Sequence, residues 1–129
     1  MSIPLILKQD VLPGRLIVVD ASDDHDSVGT EVREIGERLG FKNTIVTKSD
    51  VSNSARQRNI GLQFVEAPAV MLPDDDSMWH GGFATNVLKI YDADVRRQVA
   101  GVTGVGVPAS PPELGQPLSS DAKCNPRRH

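Results

Sequence analysis

Between residues 28 and 39 the apolar positions Val28, Val32, Ile35 and Leu39 recur at spacings of four, three and four, with Glu31, Arg33, Glu34, Glu37 and Arg38 between them. That period puts one apolar stripe on one side of a helix. Asp26 or Ser27 is its expected cap and Gly40 its expected end. Before it, Arg15-Leu16-Ile17-Val18-Val19-Asp20 is a β-branched run set off by Pro13-Gly14 and stopped by an acid, which predicts a strand. Asn43-Thr44-Ile45-Val46-Thr47 predicts a second strand, and Ser52 or Asn53 caps a helix reaching about Phe64, with Ala55, Ile60, Leu62 and Val65 available for burial. Ala69-Val70-Met71-Leu72-Pro73 reads as a third, buried strand that Pro73 ends, because proline has no N–H to give to a ladder. It runs straight into Asp74-Asp75-Asp76. After Gly81-Gly82 the stripe Phe83, Val87, Ile90 and Tyr91 predicts a third helix, followed by an apolar run from Val99 to Val102. Residues 2 to 9 fit either a short helix with Pro4 in its first turn or a short strand.

Strand and helix alternate, so the expected fold is α/β with a mainly parallel sheet covered by helices on both faces. The chain has 129 residues, enough for one modest core, and the expected domain spans 1–107. From Pro108 onward proline, serine and glycine dominate without periodicity, which predicts a disordered tail over 108–129. A net charge of -3 leaves no electrostatic footprint for nucleic acid, and no apolar run approaches the roughly 20 residues of a membrane span. The single cysteine, Cys124, offers no internal disulfide, and Met1-Ser2-Ile3-Pro4 lacks the features of a signal peptide. A cytoplasmic location is expected, with peripheral attachment to a membrane as the alternative.

Asp20 and Asp74 each stand at the carboxyl end of an expected strand, where open parallel sheets bind their ligands. Three adjacent carboxylates repel one another unless they are fully solvated or a cation neutralises them. Oxygen ligands favour magnesium, manganese or calcium, and the first two keep open positions for phosphate oxygens. A metal bridging to a diphosphate is the sharp reading of this stretch, and a wet acidic turn is the plain one. Asp23-Asp24-His25-Asp26 has metal-like composition but suits a solvated loop leading into a helix. His80 is a lone loop histidine, Arg56 and Arg58 could meet a phosphate or base, and Trp79 could stack on a ligand or cover the edge of the core.

Three segments, Leu16 to Asp23, Ser54-Ala55-Arg56-Gln57-Arg58-Asn59-Ile60-Gly61 and Val70 to Ser77, resemble in order and separation the successive signatures of family 2 glycosyltransferases. Those signatures are a strand ending "IIVVDDGS", a helix containing "ARNxG" and a strand ending "FLDDD". The segment Tyr91 to Gly101 is also similar to the family. The resemblance implies a Rossmann-like GT-A fold and an enzyme that transfers a hexosyl group from a UDP- or GDP-sugar to an acceptor, in complex-carbohydrate or cell-surface polysaccharide synthesis. By the same resemblance Asp20 would meet the nucleobase, Arg58 would line the nucleotide pocket, and Asp74 and Asp75 would face the nucleotide sugar. Asp76, with Asp74, would hold Mn2+ or Mg2+.

The family's first strand, which sits in mid-sheet, and most of the helix after it have no counterpart here, so the implied domain is incomplete. No residue matches the family's catalytic base, and Pro73 replaces an apolar residue before the acids. Two other readings stand beside this one. One is a non-catalytic α/β domain that covers an open sheet edge by self-association, as a homo-oligomer, or with a partner. The other is an aspartate-based phosphotransfer domain with Asp20 as nucleophile.

Overall fold

The computed structural model describes residues 2–105, and these form an α/β fold with a small parallel sheet and helices. They divide into two compact units. One contains residues 2–8 together with Leu12–Met78; the other contains Gln9–Val11 and residues 79–105. The expected tail from Pro108 lies outside the described residues.

In the first unit the order is α1 (Ile3–Ile6), β1 (Leu16–Asp20), α2 (His25–Leu39), β2 (Thr44–Lys48) and α3 (Ser54–Leu62). The ambiguous opening segment is helical, with Pro4 in the first turn where its missing N–H costs nothing. Strands β1 and β2 pair in parallel, from Leu16 opposite Thr44 to Asp20 opposite Lys48, and α2 is the crossover between them. The stripe read from the sequence is the buried one. Val32 and Ile35 form the core with Ile3 and Leu7, and Val28, Leu39, Phe41, Leu16, Val18 and Val46 pack against it. Because strand side chains alternate, Leu16 and Val18 face α2 while Ile17 and Val19 face the other way, toward Gly61 of α3. The pair of strands is therefore covered on both faces.

Helix α2 starts slightly earlier than expected. Its cap is Asp24, whose side chain accepts the Ser27 N–H, because a carboxylate three residues upstream reaches that free donor better than Asp26 or Ser27 could. Gly40 ends the helix in the left-handed conformation (φ 71°), and Phe41 N–H donates to Gly36 C=O at 2.8 Å. Helix α3 is capped by Asn53 but buries none of its side chains: Ala55 and Leu62 are exposed and Ile60 is half-buried, as is Val65 beyond its end. It approaches the sheet through Gly61, where the missing side chain lets the helix backbone come close to Val19.

The expected third strand does not form. Residues 69–73 have no ladder partner, and Val70 and Leu72 are 45% and 50% exposed. Pro68 and Pro73 bracket the run, and each lacks the N–H that strand pairing needs, so only the four N–H groups of Ala69 to Leu72 remain, two of them toward any one neighbour. The sheet of described residues is thus two-stranded.

The second unit is built on α4 (Phe83–Ala93). Ala84 and Val87 are its buried positions, whereas Ile90, expected in the apolar stripe, is 45% exposed. Gln9 fixes its start, donating through Nε2 to His80 C=O at 3.0 Å and accepting the Ala84 N–H through Oε1 at 3.1 Å. Trp79 packs on Phe83 with ring centroids 4.9 Å apart. The apolar run Val99 to Val102 forms no regular element. Among the described residues no helix is long and apolar enough to cross a membrane.

Candidate functional site

Parallel pairing brings both strands to one rim at their carboxyl ends, and α2 and α3 must start from that same rim. Asp20, the last residue of β1, sits there with a side chain only 12% exposed. Its Oδ1 accepts the Ser22 N–H at 3.0 Å; its Oδ2 accepts Ser22 Oγ at 2.8 Å and faces His25 Nδ1 at 3.0 Å. Burial raises the carboxyl's pKa, but the bonds from Ser22 and His25 outweigh it and hold the group below its ordinary value. Asp20 is therefore a charged acceptor that fixes the loop between β1 and α2. In the loop of metal-like composition, read as a solvated lead into the helix, Asp24 caps α2 and His25 pairs with Asp20.

On the next helix three neighbours divide their work. Arg56 closes a two-pronged ion pair on Asp50, through Nε at 2.6 Å and Nη2 at 2.7 Å, and this guanidinium holds the Asp50 carboxyl below its usual range. Gln57 donates its side-chain amide to Val19 C=O at 3.0 Å, immediately before Asp20. Arg58 reaches forward to Asp74 Oδ1 at 2.5 Å. Asp74 opens a tight turn in which Ser77 N–H donates to its C=O at 3.0 Å and its own N–H donates to Ser77 Oγ at 3.2 Å. Asp75 and Asp76 line a small hollow of about 90 Å3 with Ser2, Leu5, Ser77 and Met78.

Two of the residues expected at the site, Arg58 and Asp74, are thus in contact; Asp20 bonds Ser22 and His25 instead, and Gln57, beside Arg58, bonds the carbonyl of Val19 just before it. Asp74 does not continue a strand as expected; it is placed by its turn and by Arg58. Gln57 and His25 lie in stretches singled out from the sequence, but neither was given a role there. The signal for Gln57 lay in its position between two arginines in the first turns of the helix, and that for His25 in its place five residues beyond a strand-ending acid.

Among the described residues no three or more His, Cys, Asp or Glu side chains group to hold a metal ion. Asp74 is engaged by Arg58, and Asp75 and Asp76 line the small hollow beside it. Comparison of the chain with models of known families, with curated proteins and with solved structures finds no match.

Proposed function

We propose that this chain is the nucleotide-diphosphate-sugar-binding portion of a family 2-type glycosyltransferase with a Rossmann-like GT-A sheet. The observation that supports it best is the Arg58–Asp74 ion pair, which joins the second and third resembling segments, while Gln57 ties the second to the end of the first. These two contacts link three pieces far apart in the chain, and the first piece ends at the carboxyl end of β1, the side on which an open parallel sheet receives ligands. Asp20 would accept a hydrogen bond from the nucleobase at the edge of the rim. On diphosphate binding, Arg58 would exchange its exposed partner Asp74 for phosphate oxygens, for which its planar fork is suited. Asp76 and Asp74 would hold Mn2+ or Mg2+, which when bound stabilises the leaving diphosphate as a Lewis acid. The acceptor would be supplied by groups outside the residues named here.

The test is calorimetric titration of the folded chain with uridine and guanosine diphosphates, with manganese and then with chelator, beside Asp76→Asn and Arg58→Ala. Binding that needs the metal and weakens at least about tenfold in either variant, the scale of one lost charged contact, is the expected result. A chain folded by circular dichroism that binds neither nucleotide overturns the proposal.

A further inference from the structure

We infer that residues 69–72 are a strap that closes on the open edge of β1 as a third, parallel strand, in the register that sets Val70 beside Ile17. The bonds of β1 show which of its groups lie on that edge. Leu16 N–H donates to Asn43 C=O at 3.0 Å and Asp20 C=O accepts Ser49 N–H at 2.7 Å, so Leu16, Val18 and Asp20 turn their polar groups toward β2. Arg15, Ile17 and Val19 turn theirs the other way, where the Gln57 amide already takes Val19 C=O. Arg15 C=O, Ile17 N–H, Ile17 C=O and Val19 N–H have no partner among the described residues.

The course of the chain brings the occupant. Because α2 and α3 lie on opposite faces of β1, right-handed crossovers place β2 on one side of it and any strand that follows α3 on the other. Residues 64–74 take that course, in the direction of β1 itself. At the start of β1, Arg15 donates to Phe64 C=O at 3.0 Å and pairs with Glu66 at 3.2 Å. At its end, Arg58 holds Asp74 while the adjacent Gln57 bonds Val19. Between these ties the structure records the strap open: residues 69–72 make no main-chain hydrogen bond among the described residues.

Gln57 and the two prolines select the register. In a parallel ladder a residue donates to the one before its neighbour and accepts from the one after it. With Val70 beside Ile17, Ile17 N–H meets Ala69 C=O, Met71 N–H meets Ile17 C=O, Val19 N–H meets Met71 C=O, and Ala69 N–H meets Arg15 C=O. The donor that Val19 C=O would then need is the one Pro73 lacks, and the Gln57 amide supplies it. Pro68 faces the outer edge, where its missing N–H costs nothing. A slide of one or two residues either way aims the N–H of Met71, Leu72, Asp74 or Asp75 at the carbonyl that Gln57 holds.

This register puts the exposed Val70 and Leu72 on the face of Ile17 and Val19, toward α3 and its exposed Leu62. Closure therefore gives apolar neighbours to a helix that buries no side chain, and it extends the sheet to three strands. It also sets Asp74 level with Ala21, so the strap carries the acid turn to the carboxyl end of β1. The inference stands on main-chain geometry and is independent of the proposed nucleotide site.

The experiment is residue-resolved amide exchange of the full chain over a dilution series, corrected for each residue's intrinsic rate. We expect an alternation: Ala69 and Met71 exchange at least about tenfold slower than Val70 and Leu72, as where a closed form predominates, and Ile17 and Val19 slow with them at every concentration alike. Met71→Pro removes a donor that faces β1 and is expected to release Ile17 and Val19, whereas Val70→Pro removes one that faces outward and is expected to leave them slow. The absence of alternation, slowing at Ile17 and Val19 only at high concentration, as a second copy would give, or equal release in the two variants overturns the inference. If a variant fails to fold, the alternation in the wild type decides alone.

Discussion

Asp20 Oδ2 lies 3.0 Å from His25 Nδ1 across the turn from β1 to α2, and the same carboxylate takes two bonds from Ser22. This single acid both ends a strand and orders the loop that starts a helix. Its carboxyl pKa is held low in the folded state against the opposing effect of burial. A carboxyl depressed on folding stabilises the protein above its unfolded pKa and ceases to do so as pH falls through the folded value. We therefore expect stability to be flat near neutrality and to fall below about pH 4, where free aspartate titrates. Asp20→Asn should cost about 1–3 kcal/mol at pH 7 and make the acid limb shallower in urea titrations at stepped pH.

Gly36 lies inside α2, and a Cβ there would stand 2.6 Å from the carbonyl oxygen of Phe41. Backbone cannot move aside as a side-chain tip can, and this carbonyl belongs to the turn that closes the helix. Gly36→Ala should destabilise the protein by about 1–3 kcal/mol, although alanine is the better helix former by about 1 kcal/mol. A thermal melt that shows stabilisation would contradict this.

Val32 is the most deeply buried large side chain, 1% exposed at the centre of the α1, α2 and sheet contacts. Val32→Ala removes two methyl groups and leaves a cavity, with an expected loss of about 2 kcal/mol in chemical denaturation. Asp24→Ala, which deletes the cap of the same helix, should cost about 1 kcal/mol.

The ion pair of Arg58 with Asp74 joins side chains that are 43% and 63% exposed. Solvent and salt screen such a pair, so Arg58→Ala should lower stability by less than about 1 kcal/mol. A double-mutant cycle with Asp74→Ala, read by melting at low and high salt, should show a coupling that shrinks as salt rises.

Periodicity revealed most of the first unit: the α2 stripe, the ends of β1 and β2 and the alternation of strand with helix all follow from local pattern. What it could not reveal depends on neighbours distant in sequence. The run Ala69–Leu72 has the composition of a strand, but pairing needs a partner edge and a string of donors, and Pro68 and Pro73 limit the second. Helix α3 looked amphipathic enough to bury Ala55 and Leu62, yet it meets β1 through a glycine and an amide, contacts with no hydrophobic signature. At the candidate site, Asp20, Arg58 and Asp74 were singled out from the sequence, and the contact between the last two follows from an ordering of the chain that spacing alone does not give.

Helix α3 is attached to the first unit by the close approach of Gly61 to Val19, the Gln57 bond and two exposed ion pairs, without one buried side chain. The molecule should therefore come apart in a fixed sequence. Amides of α3 should exchange through small openings that leave α2 and both strands protected. Warming would then disperse Arg56, Arg58 and the acid turn at temperatures where the core around Val32 is still intact, so the proposed nucleotide site would be lost before the fold.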